Sequence, residues 1–552
     1  MSDISEKIRA AVKKSVKEAF DLDADDQMVM VERPRDPKMG DYSTNIAMRL
    51  ARSLHKKPVD IAGEIIPYLQ KNLAEANEVS VAGPGFINFR ISEAALSDCI
   101  NMILKAGDDY GQNDFGKHEK VLVEFVSANP TGDLHCGHAR GAAWGDALCR
   151  ILSKSGYDVT REYYVNDAGN QITMLAESMY SRYCGLFGVE YPLPEEGYHA
   201  QDIIDVAEKI KEKDGDKWLN KDKSVWMDYF KDEGIEMKLD AIRKDLDLFR
   251  VHFDSWMHER FFYQDNAKRI NDVMDQLTAK GLTYEKDGAL WFKSTQFGDD
   301  KDRVLKKSSG LLTYLTPDIA NHVYKFDRGY TTLINLWGAD HHSYVKRMRC
   351  ALEALGYPAD HMIVDLIQMV RMVSNGEEVK MSKRTGNAIT IRELCEDVGV
   401  DAARWFFVSK ELNTQMDFDM DLAKQKTNDN PVYYVQYAYT RMYNILHKEG
   451  TPAFHTEEQY DLLTDPKEAA LLKQISEFPN RVQEAAKNRA VNRICLYCYD
   501  LAKEFHSYYN SCRVWDPEKP ELSNQRLGLV NACMITMKNA LDLIGVSAPE
   551  KM

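Results

Sequence analysis

The chain lacks any apolar run long enough to cross a membrane, since no stretch of about 18 consecutive apolar residues occurs among its 552 residues. Its N-terminal segment mixes acidic and basic residues and has no apolar core of the kind found in secretory leaders. A content of 44% hydrophobic and 28% charged residues is typical of a soluble globular protein. We therefore expect a cytoplasmic protein without membrane contact.

Cysteine is present, but without the spacing of a disulfide framework or a zinc site. The ten cysteines are scattered, and the closest pair, Cys495 and Cys498, lies in a helical pattern with no second pair to complete four metal ligands. We expect reduced, buried thiols and no bound metal.

The sequence also lacks a net positive charge, internal repeats and low-complexity tracts. Its formal net charge of −15 argues against indiscriminate binding to nucleic acid, although a local basic face could still meet an RNA. A chain of this length is too long to fold around a single hydrophobic core, so we expect three or more domains.

Residues 1–105 are predicted to form a small α/β module. Helical patterns at 8–20, 45–54 and 61–73 precede a strand–turn–strand pattern at 80–91, and Pro67 should kink or split the third helix. In that hairpin, Asn88 and Arg90 could reach a nucleic-acid backbone or base, or they could belong to an ordinary exposed strand face.

Residues 106–375 alternate strands with helices, which predicts a Rossmann-like, doubly wound parallel sheet. A charged helical stretch at 188–275 separates its two halves, and strand patterns resume at 289–292 and 311–318. Residues 376–425 form a connecting region, and the pattern at 426–552 is helical with many aromatic residues. Ligands in such sheets bind beyond the carboxyl ends of the strands.

One strand–turn–helix pattern, at 121–150, predicts a nucleotide site. An apolar strand ends in a turn, and His135-Cys136-Gly137-His138 then leads into a helix. A helix N-terminus offers unpaired N–H groups and the positive end of a dipole to a phosphate. Gly137 would let a flat ring approach the backbone closely.

A cationic loop further along the chain, Lys380-Met381-Ser382-Lys383, complements this site. Each motif is weak alone. Together, in this order, they resemble the two signature motifs of class I aminoacyl-tRNA synthetases, which enclose ATP. That resemblance implies ATP as a substrate, with Mg²⁺ on its phosphates, and catalytic roles for His135, His138, Lys380 and Lys383. The implied ATP-binding residues are His135, Gly137, His138, Gly338, Asp340, His341, Lys380, Met381, Ser382 and Lys383.

The chemistry fits this resemblance. When a carboxylate attacks the α-phosphorus of ATP, negative charge builds on the phosphates, and lysine cations and imidazole N–H donors would stabilise it. No protein nucleophile is needed, because catalysis would consist of positioning and charge stabilisation.

Within the class, five further segments resemble arginyl-tRNA synthetases. They are residues 124–132, Tyr314-x-x-x-Asp318, residues 338–342, residues 384–387 and Asp401-Ala402-Ala403-Arg404, in which Ala403 replaces a leucine. The implied arginine-binding residues are Glu124, Ser127, Ala128, Asn129, His138, Tyr314, Asp318 and His342. The family's glutamine near the later strand has no obvious counterpart, so Asp340, His341 and His342 all remain open as the residue that faces arginine.

Arginine chemistry supports the same assignment. A guanidinium is planar, permanently charged and offers five donors, so its pocket needs carboxylate acceptors, which Glu124 and Asp318 would supply. The alternatives are that Glu124 pairs locally at a strand end and that Asp318 caps a helix after Pro317.

The resemblance also implies a tRNA partner. In the family, a helical C-terminal domain binds the anticodon and the N-terminal module touches the tRNA elbow, so the candidate RNA contacts are Phe86, Asn88, Tyr508, Tyr509 and Arg513. We expect a monomer that attaches L-arginine to its tRNA through an arginyl-adenylate. Two alternatives remain: a cysteine-specific enzyme of the same class, and a tRNA-binding relative without catalysis.

Overall fold

A computed structural model describes residues 4–25, 28–32, 34, 36–130, 132–199, 201–379 and 388–552 of the chain. The predicted ATP-binding residues Lys380, Met381, Ser382 and Lys383 lie outside the described residues.

The N-terminal part is a four-stranded antiparallel sheet with helices packed on it. Its elements are α1 (Ile4–Phe20), β1 (Val31–Glu32), β2 (Tyr42–Thr44), α2 (Ile46–Leu54), α3 (Pro58–Asn72), β3 (Ala76–Ala82) and β4 (Phe86–Ile91), with strand order β1-β2-β4-β3. The predicted strand–turn–strand is confirmed. Pro67 does not split α3, because the fully buried Ile61, Ile65 and Leu69 pack on both sides of it.

The central part is built on a five-stranded, fully parallel sheet of order β12-β11-β5-β6-β7. Before the insertion lie α4 (Glu93–Ala106), β5 (Lys120–Glu124), α5 (Cys136–Lys154) and β6 (Asp158–Val165). Then come α6 (Asn170–Gly185), α7 (Gln201–Asp214), α8 (Lys223–Leu248), β7 (Ser255–His258), α9 (Gln264–Ala279), β8 (Thr283–Lys286), β9 (Ala289–Phe292) and β10 (Arg303–Lys306). The series ends with α10 (Leu315–Asp327), β11 (Thr332–Gly338), α11 (His342–Leu355) and β12 (Met362–Ile367). The predicted doubly wound parallel sheet is confirmed.

Two predicted boundaries in this part are wrong. Residues 255–258, assigned to the helical insertion, form β7 at the edge of the main sheet, so the inserted helices end with α8. Residues 311–318, assigned to a β region, contain the start of α10, since Pro317 occupies the first helical turn, where its missing N–H costs nothing. The strands β8, β9 and β10 form a separate antiparallel sheet.

A second small sheet leads into the C-terminal helices. It comprises β13 (Val370–Ser374), β14 (Glu377–Glu378) and β15 (Met416–Asp419), in the order β14-β13-β15, with α12 (Ile391–Val398) and α13 (Val400–Val408) lying between β14 and β15 in the chain. The remaining helices are α14 (Met420–Lys424), α15 (Pro431–His447), α16 (Pro466–Ser476), α17 (Phe478–Asn488), α18 (Asn492–Ser511) and α19 (Pro520–Leu543).

The helix α4 packs on α16 and α19, although we predicted it as the end of the N-terminal module. Its Asn101 donates to the carbonyl of Glu457 at 2.9 Å. All ten cysteines are buried, as expected, and none forms a disulfide bond. Within the described residues, no helix has both the length and the apolar character of a membrane span.

Candidate active site

The loop between β5 and α5 lies at the carboxyl edge of the parallel sheet. Because β5 is the central strand, between β11 and β6, this loop borders the crevice in which such sheets bind ligands. The loop begins with strained backbone, since Val126 and Ser127 have φ values of +67° and +41°. Strain of this kind in a β-branched residue is costly and is typical of functional sites.

This strained turn places Ser127 between two partners. The Ser127 hydroxyl donates to the Glu124 carboxylate at 3.2 Å and accepts from the backbone N–H of Tyr164 at 3.0 Å. The Tyr163 hydroxyl donates to the Ala128 carbonyl at 2.8 Å. The structure therefore brings the predicted residues Glu124, Ser127 and Ala128 together, with Asn129 exposed next to them.

The two histidines form the N-terminal cap of α5. His135 Nδ1 accepts from the Gly137 N–H at 3.1 Å, His138 Nδ1 accepts from the His135 N–H at 3.3 Å, and the ring centroids lie 3.9 Å apart. Burial lowers the pKa of both rings, that of His138 to about 4, so both are neutral near pH 7. Since each Nδ1 is an acceptor, the single ring proton lies on Nε2, where it can be donated to a ligand.

Gly137 is required by this cap. A Cβ at this position would lie 2.8 Å from Cε1 of the His135 ring, so any other residue would displace the imidazole. The chemistry of the predicted pair therefore depends on the glycine between them.

The segment that follows the predicted cationic loop lies directly against this helix start. The Cys136 N–H and thiol donate to the Ile389 carbonyl at 2.9 and 3.0 Å, and the Ile391 N–H donates to the Leu134 carbonyl at 2.9 Å. Residues 389–391 are therefore joined to the start of α5, far away in sequence, through backbone hydrogen bonds.

An acidic pocket lies beyond the strand ends. Asp318, in the first turn of α10, is half-buried and accepts from the Tyr344 hydroxyl, while Glu259, also half-buried, follows β7 and accepts from the Tyr263 hydroxyl. Burial, with repulsion from nearby carboxylates, raises the pKa of Asp318 to about 6 and that of Glu259 to about 7. In the described part of the chain, no lysine or arginine forms an ion pair with either carboxylate.

Glu124 differs from these two carboxylates. It forms an ion pair with the fully buried Lys325, whose ammonium also lies 3.8 Å from Glu162. Glu124 is therefore already paired in the structure, as the alternative interpretation predicted, and its contact with arginine stays a prediction. Glu259 is a further carboxylate close to Asp318, and the sequence analysis missed it because the preceding strand β7 was assigned to the helical insertion.

Two other predicted arginine ligands, Tyr314 and His342, have exposed side chains. Tyr314 is 88% exposed at the mouth of a cleft of about 1190 Å³ that Tyr263 also lines. His342 is exposed at the start of α11, and it is Tyr344, half a turn further, that donates to Asp318. Asp340 and His341 are exposed just after Gly338, on the same edge of the sheet.

The predicted RNA contacts divide by exposure. Tyr508 is fully buried, because it lies on the apolar face of α18 with Phe505, and Asn88 is 5% exposed, so both predictions of a surface contact are wrong. Phe86 and Tyr509 are 37% and 38% exposed, and Arg513 is exposed as well. The Arg441 guanidinium lies 4.7 Å and 5.0 Å from the ring centroids of Tyr437 and Tyr509, beside a cleft of about 180 Å³.

Three family models match successive parts of the chain. The model described as "Arginyl tRNA synthetase N terminal domain" matches residues 6–91, "tRNA synthetases class I (R), catalytic domain" matches 99–426, and "DALR anticodon binding domain" matches 435–552. The chain belongs to the class I arginyl-tRNA synthetase family.

Individual relatives agree with this assignment. The arginine–tRNA ligases of Bacillus subtilis and Oceanobacillus iheyensis are each 49% identical to the chain, the former over the full length of both proteins and the latter over 96% of each. The arginyl-tRNA synthetase structure from Thermus thermophilus superimposes with a TM-score of 0.73 over 99% of this chain and all of that one. At 23% identity, that likeness concerns the fold.

Proposed function

We propose that the chain catalyses ATP-dependent attachment of L-arginine to its cognate tRNA through an arginyl-adenylate, with release of AMP and diphosphate. The observation that supports this proposal best is the pair of half-buried carboxylates, Asp318 and Glu259, without a countercharge in the described chain, together with the neutral imidazole cap of α5. Together they provide a site for a cation next to a site for a nucleotide.

The substrate side chain follows from the charge of this pocket. A guanidinium is protonated at every physiological pH and can donate to both carboxylates at once. Lysine would supply one compact charge and could not match the same planar arrangement. The hydroxyls of Tyr344 and Tyr263, which already donate to Asp318 and Glu259, would fix the carboxylate orientations.

The reaction requires no covalent bond to the protein. In the first step, the arginine carboxylate attacks the α-phosphorus of ATP, the bond to the β-phosphate breaks, and diphosphate leaves. The Nε2–H groups of His135 and His138 would donate to the nucleotide, and Lys380 and Lys383 are proposed to neutralise the phosphates. In the second step, a terminal ribose hydroxyl of tRNA attacks the carbonyl carbon and AMP leaves.

We propose that Mg²⁺ accompanies ATP on its phosphates and that the enzyme acts as a cytoplasmic monomer. The described residues contain no group of three or more His, Cys, Asp or Glu arranged to hold a metal ion. Ten buried cysteines without a disulfide bond fit a reducing compartment.

Charging of total tRNA with each labelled amino acid tests the proposal. We expect arginine to be incorporated in an ATP-dependent manner and the other amino acids not. Incorporation of cysteine instead would favour the other enzyme of the class, and tRNA binding without incorporation of any amino acid would favour a non-catalytic relative.

A matched pair of variants tests the anticodon contact. Tyr509→Ala should raise the KM for tRNA about tenfold, because stacking of a base on an aromatic ring contributes about 1–3 kcal/mol. Tyr508→Phe, on the adjacent but buried position, should leave that KM unchanged. Equal effects of the two variants would remove Tyr509 from the interface.

A further inference from the structure

Arg140 is a fully buried arginine two residues after His138 on α5. Its Nη1 donates to the carbonyls of Gln368 at 2.9 Å and Thr414 at 2.8 Å, and its Nη2 donates to the carbonyl of Glu411 at 2.7 Å. Burial lowers its pKa to about 10, so the group remains charged at neutral pH. Within the described residues it has no carboxylate partner, and its Nε is buried without a hydrogen bond.

The three carbonyls belong to residues that immediately precede two strands. Gln368 lies just before β13, and Glu411 and Thr414 lie just before β15. These strands are parallel neighbours, with Val370 opposite Met416, so one guanidinium fixes the starts of both relative to α5. β13 then pairs with β14, and the Val379 N–H donates to the Met372 carbonyl at 2.8 Å.

The same helix is also bonded to the chain further on. Cys136 donates to Ile389, and Leu134 accepts from Ile391, as described above. Val379 and Ile389 therefore both belong to segments whose positions are set from the first two turns of α5. In sequence, the predicted ATP lysines lie between these two residues.

We propose that Arg140 is a positioning residue for ATP, which holds the sheet of β13, β14 and β15 at a fixed position relative to the imidazole cap. This proposal rests on the proposed function. Three directed bonds from one rigid, planar group can fix two loops, whereas an apolar side chain of the same volume could only fill the space.

The charge of Arg140 argues against a role in packing alone. Burying a cation without a partner carboxylate is unfavourable, and apolar residues of similar volume often serve a core at least as well. Arg404, which is equally buried, has the carboxylate of Asp146 as its partner. Arg140 has only backbone carbonyls, so the geometry of those carbonyls is what it determines.

Arg140→Lys and Arg140→Met in the full-length enzyme test this role, with Leu148→Ala as the matched control. Leu148 is fully buried on the same helix, so its truncation destabilises α5 packing without touching Gln368, Glu411 or Thr414. We would measure kcat and the KM for ATP and for arginine, with the folded fraction from circular dichroism.

We expect both Arg140 variants to lower kcat about a hundredfold and to raise the KM for ATP, because small displacements of reacting groups have effects of this size. The KM for arginine should stay at the wild-type value, since the acidic pocket is built from other elements. Variants whose rates follow the folded fraction alone, as expected for Leu148→Ala, would overturn the proposal, and so would failure of both variants to fold.

A binding measurement separates this proposal from the proposed function. Fluorescence titration of the enzyme with an ATP analogue should show weaker binding to Arg140→Lys than to wild type or Leu148→Ala. Wild-type enzyme that fails to charge arginine would refute the function, whereas unchanged analogue affinity in Arg140→Lys would refute the role of Arg140.

Discussion

Two groups of charged side chains in this molecule differ in where their countercharges come from. At the junction with the C-terminal helices, fully buried Arg404 donates to Asp146 at 2.6 Å and to the carbonyls of Ile544 and Phe249 at 3.0 and 2.9 Å. In the acidic pocket, burial raises the pKa of Asp318 and Glu259, and no described cation pairs with either.

The comparison separates a structural from a functional use of buried charge. At the junction, the charged groups find their partners within the chain. Asp401, for example, accepts from the Ser547 N–H at 2.9 Å. Gly545, at φ +66°, leaves room for Arg404, since a Cβ there would lie 2.3 Å from the Arg404 guanidinium. The pocket is incomplete, because its carboxylates are charged only at a cost until a cation arrives. Incomplete groups of this kind are typical of binding sites.

The largest expected effect is on the stability of the junction. Arg404→Met leaves the buried Asp146 with Arg150 as its closest remaining cation and leaves the carbonyls of Ile544 and Phe249 without their donor, so the free energy of unfolding should fall by about 3–5 kcal/mol. Denaturant titration followed by circular dichroism measures this loss. The double variant with Asp146→Asn should recover part of it, and a single variant as stable as wild type would show that the junction charges are dispensable.

Asp318→Asn should weaken arginine binding without lowering the stability of the fold. The KM for arginine should rise about 100-fold or more, equivalent to roughly 3 kcal/mol, because a buried charged partner of the guanidinium is lost. The free energy of unfolding should not fall, since in the free enzyme the charge of Asp318 is a cost. A loss of stability like that of Arg404→Met, with arginine KM unchanged, would remove the distinction between the two regions.

The acidic pocket should also make arginine binding depend on pH. Since the pKa values of Asp318 and Glu259 are raised to about 6 and about 7, both groups take up protons in the free enzyme as the pH falls through that window. The guanidinium does not titrate, so the KM for arginine should rise as the pH decreases below about 7 and approach a tenfold rise per unit for each protonating group.

The same shifts predict how stability changes with pH. The folded state holds these protons to a higher pH than the unfolded chain does, so the pocket's contribution to stability is lost as the pH rises from about 4 to about 7. Glu259→Gln should remove the part of the pH dependence near pH 7, both for the KM for arginine and for stability. A wild-type arginine KM that is flat from pH 8 to pH 5.5 would contradict the assignment.

The smallest expected effect comes from Tyr344. Tyr344→Phe removes the hydroxyl that donates to Asp318, and the KM for arginine should rise roughly 2- to 13-fold, the equivalent of about 0.5–1.5 kcal/mol for one hydrogen bond. A Tyr263→Phe variant provides the matched comparison at Glu259. No change in either variant would mean that the phenols do not orient the carboxylates.

Local signals in the sequence predicted much of the fold and part of the site. The strand at 121–123 and the helix that follows His135 are encoded by contiguous residues, and each was found as expected. The helix start at Asp318, which the sequence offered only as an alternative to a β region, was signalled by Pro317. The strand β7 was missed because only four residues form it, and its stability comes from pairing with β6.

The sequence by itself determined the family, the parallel sheet and the chemistry of the two signature motifs, because short motifs and apolar periodicity act over a few neighbouring residues. Only the tertiary structure decided which carboxylates lack a countercharge. Glu124 meets Lys325 from α10, whereas Asp318 and Glu259 meet phenols, and these pairings join residues from separate elements. The same holds for Arg140, whose three carbonyl partners lie more than 200 positions away. A charge is structural or functional according to its spatial neighbours, which the order of residues along the chain does not display.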